Sequence, residues 1–285
     1  MNRDVFEWSA YRDFRDRPAD EIPGLLEQLR QEPTAELWHD LRRRLTIEGE
    51  CHSPIGAAAL TGLAAIAASA DAENQHHALA LAAAITTTLH VRDEDDEVFR
   101  TVADVFPALH RLAAARLADD PAHGFECCFR AALAFGGYVF WARIGLDYSD
   151  EHYVVDCPHC ATRLAIVIGD YGRYCAVRDG WAGDIHRVPL TPADPDRLDG
   201  IAAWMHGAAL ACGRPAIATG LAHLFGTATC TSCGSTFNLA AWLEAQNTPH
   251  QPLPLLTTPP PVGGVQFRGK CWNLGEDSST FPETA

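Results

Sequence analysis

The chain has 285 residues, 47% hydrophobic and 21% charged, which suffices for two domains with buried cores. The formal charge is −15, and both halves share it (−9 over residues 1–145, −6 over 146–285), which argues against a nucleic-acid ligand. The N-terminus, MNRDVFEWSAYRDFRDRPAD, is charged throughout and lacks the apolar run of a signal peptide, so the ten cysteines are expected in a reducing, cytoplasmic setting. There they favour metal binding or free thiols over disulfides.

The first half reads as successive helices. PTAELWHDLRRRLTIEG (33–49) places Leu37, Trp38, Leu41 and Leu45 at helical spacing. Ser53-Pro54 is a start signal for a second helix through Ile55, Ala59, Leu63 and Ile66. That stretch approaches a membrane span in length, but alanine and glycine insert weakly, so it is expected to be a buried helix with no membrane role. AENQHHALALAAAITTTLH (72–90) is a third. The acidic run at 93–97 suits the positive end of a fourth, which Pro107 should kink or split. GFECCFRAALAFGGYVFWARIG (124–145) makes a fifth. Helices of this length on short turns predict antiparallel pairs, with 33–70 and 72–118 each a candidate pair. The body is then either a stacked helical repeat or an irregular bundle.

LWHDLRRRLTIEGECHSPIGAAALTGLAAIA (37–67) has a Leu-Trp start, a short helix, a small polar turn and an alanine-rich helix. In this it resembles a segment of uncharacterised bacterial HEAT-like proteins. The resemblance covers about thirty residues, implies a helical-repeat fold and brings no catalytic residue with it.

Past residue 146 the texture changes. HYVVD and RLAIVIGD are short and β-branched, RYCAVRD (173–179) is a candidate third strand, and VPLTPADP (188–195) is a proline-broken loop. Two helical stretches follow, and then CTSCGSTFNLAAWLEAQ, a cysteine pair leading into an amphipathic helix. The division expected is a mainly α chain: a helical domain at 1–146, an α+β module with a helical insertion at 147–247, and a proline-rich, irregular tail at 248–285.

Cys157-Pro158-His159-Cys160 carries two readings. As a dithiol redox centre it needs a helix directly after it to acidify the nucleophile, and the stretch ATRLAIVIGD after Cys160 reads as a strand. As a knuckle between two strands it aims both thiolates at one point, and Cys230 and Cys233 complete a tetrahedral Cys₄ zinc site. The order of knuckle, hairpin and second pair resembles a treble-clef or zinc-ribbon module. Sixty-nine residues separate Cys160 from Cys230, well above the ~15–20 of simple ribbons. Because loop entropy grows logarithmically, the excess costs only about 1 kcal/mol, against on the order of 10 kcal/mol from structural zinc. Such a closed site makes the metal structural. His159 is expected to point outward, with His152 and His186 as substitute ligands should the second pair prove remote.

The remaining candidates have plainer readings. Cys127-Cys128 is a vicinal core pair and Cys51-His52 a turn. His76-His77 decorates a helix, and Cys175, Cys212 and Cys271 carry no pattern. LRRRL (41–45) should pair with Glu36, Asp40 and Glu48. Loops around 169–187 could hold an active site drawn from Asp170, Tyr171, Arg173, Asp179, Trp181, Asp184 and His186. No phosphate loop, serine elbow or His-Glu-x-x-His is present. The expectation is a non-enzymatic adaptor, regulatory or immunity-like protein whose partner carries a basic surface. The alternatives are an enzyme using those loops and a thiol–disulfide oxidoreductase using Cys157 and Cys160. Oligomeric state is left open.

Overall fold

The computed structural model describes residues 6–48, 51, 54–88, 102–119, 124–144, 150–170, 172–177, 186–247, 265–267 and 270–272. The fold is mainly helical with small antiparallel sheets. Two compact units meet in sequence at Arg143–Ile144. Among the described residues no helix is long and apolar enough to cross a membrane.

The helical unit holds α1 (Ile22–Gln31), α2 (Ala35–Leu45), α3 (Pro54–Ser69), α4 (Ala72–Thr88), α5 (Phe106–Asp119), α6 (Phe125–Phe135) and α7 (Val139–Arg143). Thr34 caps α2, its hydroxyl accepting from Leu37 N at 3.3 Å, and Pro54 opens α3 as the sequence suggests. At Pro107 the expected helix changes type, a 3-10 turn over Ala103–Val105 giving way to an α-helix that begins at Phe106. The proline sits at the second position of α5, where a missing amide hydrogen costs nothing. The expected fifth helix is broken at Gly136-Gly137, where φ of +88° at Gly137 reverses the chain between α6 and α7. The acidic run at 93–97 lies outside the described residues.

α1, which places Ile22, Leu25, Leu26 and Leu29 in the core, was not among the expected elements, and it shifts the phase of the pairing. The helices in contact are α1 with α2, α3 with α4 and α5 with α6, rather than the pairs 33–70 and 72–118. Between pairs, odd helices touch odd (α1 with α3, α3 with α5) and even touch even (α2 with α4, α4 with α6). The arginine cluster is also differently partnered. Arg44 is buried, donating to Asp13, Glu21 and Pro18 O, because the segment before α1 folds back over α2. Asp40 pairs with Arg17, and Arg43 reaches His39.

The second unit starts with a four-stranded antiparallel meander, β1 (Asp150–Asp156), β2 (Arg163–Gly169), β3 (Gly172–Val177) and β4 (Val188–Pro189). Cross-strand partners share a face, and Tyr153, Val155, Leu164, Ile166, Ile168 and Cys175 form the buried one. The proline-broken segment at 188–195 is thus partly a strand, since only the edge of a sheet accepts a proline. Beyond it, helices α8 (Gly200–Ala211) and α9 (Pro215–Leu224) form a hairpin, with α9 packed on β2.

A second hairpin comes next, β5 (Thr227–Thr229) and β6 (Thr236–Asn238), and leads into α10 (Leu239–Asn247), whose first turn is capped by Asn238 Oδ1 accepting from Ala241 N at 2.9 Å. The second cysteine pair therefore lies at a hairpin tip, with a strand between it and the helix it was expected to open. Of the tail, β7 (Val265–Phe267) and β8 (Lys270–Trp272) form a two-stranded sheet, and the rest lies outside the described residues.

Candidate metal centre

The two cysteine pairs sit at the tips of two hairpins of the second unit, β1–β2 and β5–β6. In the first, the rung Asp156↔Arg163 closes a six-residue loop, 157–162. In the second, Thr229↔Thr236 closes 230–235. Each loop folds through the same three hydrogen bonds, two between backbone groups and one from an amide to the first cysteine's sulfur. Cys157 N donates to Thr162 O at 2.8 Å, Ala161 N to Cys157 O at 2.9 Å, and His159 N to Cys157 Sγ at 3.4 Å. Cys230 N donates to Ser235 O at 2.9 Å, Gly234 N to Cys230 O at 2.9 Å, and Ser232 N to Cys230 Sγ at 3.4 Å. The fifth position of each is left-handed, with φ of +56° at Ala161 and +75° at Gly234. A glycine adopts that conformation freely. Ala161 holds it because the surrounding bonds fix the turn.

The hairpins meet tip to tip. Cys157 Sγ lies 3.7 Å from Cys233 Sγ, Cys160 Sγ lies 3.8 Å from Cys230 Sγ, and all four sulfurs fall within 4.8 Å of one another. A disulfide would need a separation of about 2.05 Å, so these are not disulfide pairs. A tetrahedral ion with metal–sulfur bonds of about 2.3 Å sets its sulfurs about 3.8 Å apart. Two of the separations, 3.7 and 3.8 Å, match that spacing, and the cluster can hold a metal ion.

Ties that do not involve sulfur bring the hairpins together. Thr191 and Thr227 exchange backbone bonds of 3.0 and 2.9 Å, and Ala193 N donates to Ala222 O at 2.8 Å. Trp242 Nε1 of α10 donates to Asp156 O at 2.6 Å, and Asp156 N donates to Gln246 Oε1 at 3.1 Å, so the helix leaving the second hairpin grips the base of the first. The strap from β4 passes so close to the chain that Gly226 has no room for a side chain. A Cβ there would meet Ala193 N at 2.9 Å, Pro192 C at 3.0 Å and Thr191 O closer still.

The sulfurs divide into two kinds. Cys157 and Cys230 are buried, whereas Cys160 and Cys233 are exposed. The Thr162 hydroxyl and amide hold Cys160 down to about 6, and the Ser235 hydroxyl and amide likewise lower Cys233. Burial pushes Cys230 up to about 12. Four thiolates this close repel one another, and a bound cation is what allows all four to ionise together. A fifth thiol, Cys175, stands beside the cluster on β3. Burial raises it to about 11, and it accepts a hydrogen bond from the Thr231 amide.

The other sequence candidates do not assemble around this cluster. His159 is exposed and engages through its backbone alone, as expected. His152 lies on β1 opposite Val167, and His186 is exposed before β4. With both cysteine pairs together, neither histidine is needed as a substitute. Of the proposed active-site residues, Asp170 is exposed at the β2–β3 turn and Arg173 is half-buried on β3. Tyr171, Asp179, Trp181 and Asp184 lie outside the described residues. The redox reading needed an exposed Cys157 and a distant Cys230. Cys157 is 3% exposed, and β2 rather than a helix comes after its loop. Cys51, Cys128 and Cys212 are buried, and Cys127 is half-buried, lining a cavity of about 570 Å³ in the helical unit with Arg130 and Arg143.

No protein family, no curated protein and no solved structure matches this chain. Its chemistry is therefore argued from its own geometry. What sequence reading missed at this site was the doubling. CPHCAT and CTSCGS carry a hydroxyl at the same position, and that was the available signal.

Proposed function

We propose that the chain is a non-enzymatic interaction protein in which a HEAT-like helical body is joined to a zinc-ribbon-like module, with Cys157, Cys160, Cys230 and Cys233 holding one structural Zn²⁺. The observation that carries this reading is the match between the sulfur spacings, 3.7 and 3.8 Å, and those of a tetrahedral tetrathiolate. Four protein ligands leave no open position for water or substrate, so the ion's contribution is to the fold. Zinc suits such a set because it is borderline-soft, redox-inert and content with tetrahedral geometry.

The helix contacts support the repeat. Among the described residues, three pairs whose odd helices touch odd and whose even helices touch even fit a two-row stack, and such stacks offer an extended surface. The charge of −15 favours a protein partner with a basic face, in an adaptor, regulatory or immunity-like role in the cytoplasm.

Metal analysis with thiol titration tests the first clause. One zinc per chain is expected, with four thiols becoming reactive only on chelation. A metal-free chain with a fast-reacting Cys157 would overturn it. Charge-led association should weaken steeply with salt, so a partner held equally well at low and high ionic strength would remove the basic-surface clause.

A further inference from the structure

The two cysteine loops are equivalent residue for residue, and the equivalence extends past the cysteines. Aligned from Asp156 and Thr229, the eight positions of each hairpin tip share one burial pattern. The first cysteine is buried, the three residues from His159 or Ser232 onward are exposed, and Thr162 and Ser235 are half-buried. Even the rungs at the base correspond. Asp156 pairs with Arg163 at 3.3 Å, and the Thr229 and Thr236 hydroxyls pair at 3.0 Å. The sixth position carries a hydroxyl in both loops. Thr162 Oγ1 lies 3.2 Å from Cys160 Sγ, close enough for the hydroxyl to donate to the sulfur as a thiolate, and Ser235 holds the same position of its own loop. The first cysteine of each loop accepts from a backbone amide, that of His159 or Ser232.

The difference falls where the chemistry requires it. A divalent ion with four thiolates carries a net charge of −2, in a chain already at −15. Cys157 and Cys230 are shielded from solvent, so protons and competing ligands reach the ion through Cys160 and Cys233, the exposed pair. A donor fixed against each exposed sulfur disperses its charge and orients its lone pairs toward the ion, as outer-shell partners of metal ligands do.

We propose that Thr162 and Ser235 are the paired positioning residues of the metal site, each donating its hydroxyl hydrogen to the outward-facing thiolate of its own loop and so setting how firmly the ion is retained. The inference rests on the four-cysteine reading above. The two hydroxyls hold the same position in loops of the same burial pattern.

The test uses the full-length chain loaded with Zn²⁺ and competed against a chromophoric chelator. Parallel samples loaded with Co²⁺ report the sulfur-to-metal charge-transfer band. Thr162→Val and Ser235→Ala remove the hydroxyls and keep the amides. Each should weaken retention by about 10-fold and the double variant by about 100-fold, with the cobalt band moving to longer wavelength as the sulfurs become more electron-rich. Thr162→Ser and Ser235→Thr should restore both readouts.

Unchanged retention in Thr162→Val and Ser235→Ala would overturn the proposal while leaving the metal site standing, as would equal loss in Thr162→Ser and Thr162→Val, which would mark a packing effect. A wild-type chain that binds neither ion would overturn the metal reading itself, and this inference with it.

Discussion

Gly226→Ala is the most direct probe of how the second hairpin is held. The added methyl would stand between three backbone atoms of the 191–193 strap, and none of them can rotate aside as a side chain would. Making room moves the strap away from β5. That sacrifices the two Thr191–Thr227 bonds and strains the one from Ala193 to Ala222. At about 1 kcal/mol each, the loss comes to about 3 kcal/mol, the upper end of overpacking costs. Hydrogen exchange followed by mass spectrometry localises the effect. Amides of 227–229 and 236–239 should exchange on the order of 100-fold faster, while those of α3 and α4 keep their rates. The variant should still bind metal, with lower affinity, because the cysteine loops themselves are intact. Wild-type exchange in β5 and β6 would refute the reasoning, since it would mean that the strap is not what fixes the hairpin.

Other substitutions test separate parts of the chain. His110 is buried in α5, and burial lowers it to about 4, so the folded state excludes the proton that the unfolded chain accepts near 6.5. Its contribution is complete above pH 6.5 and is lost as pH falls toward 4, a cost of about 3 kcal/mol. Denaturant titrations at pH 7 and 4.5 should show His110→Asn losing less stability on acidification than wild type, and equal losses would contradict this assignment. Asp13→Ala leaves the Arg44 guanidinium buried with only Glu21 and Pro18 O, and should lower stability by about 3–5 kcal/mol. A melting temperature close to wild type would show that those two partners suffice. Trp242→Phe removes the bond to Asp156 O and should cost about 1 kcal/mol. That loss should be the same with and without metal, because the bond does not pass through the ion. A loss seen only in the loaded chain would count against it.

The four-cysteine cluster was legible because each Cys-x-x-Cys is a local word whose spacing is its chemistry. The helix-forming segments from α2 onward were legible for a similar reason, since alanine-rich runs and the Ser-Pro start act over a few residues. Contacts across long sequence separations were not legible. Arg44 finds Asp13 thirty-one residues away instead of a neighbour on its own helix. α1 passed unnoticed under its charged flanks, and its absence shifted the helix pairing by one. β5 and β6 are three residues each, too short for alternation to register, although they support the second cysteine loop. Pro107 and Gly136-Gly137 show the limit of breaker rules. The proline was absorbed at a helix start, and the paired glycines made the break.

Coordination at both hairpin tips would act as a cross-link. With an ion between them, residues 160–230 form a ring closed by metal and sulfur, and the α8–α9 hairpin is part of that ring. A chain cut at the α8–α9 turn, near Gly213, would stay joined through the ion while it is held, and once a chelator removes it the two fragments would depend on non-covalent ties such as the strap, the Trp242 and Gln246 bonds and the packing of α9 on β2. The same ring isolates the helical hairpin from length constraints, so residues added at that turn change neither end of the loop and leave the tetrathiolate undisturbed.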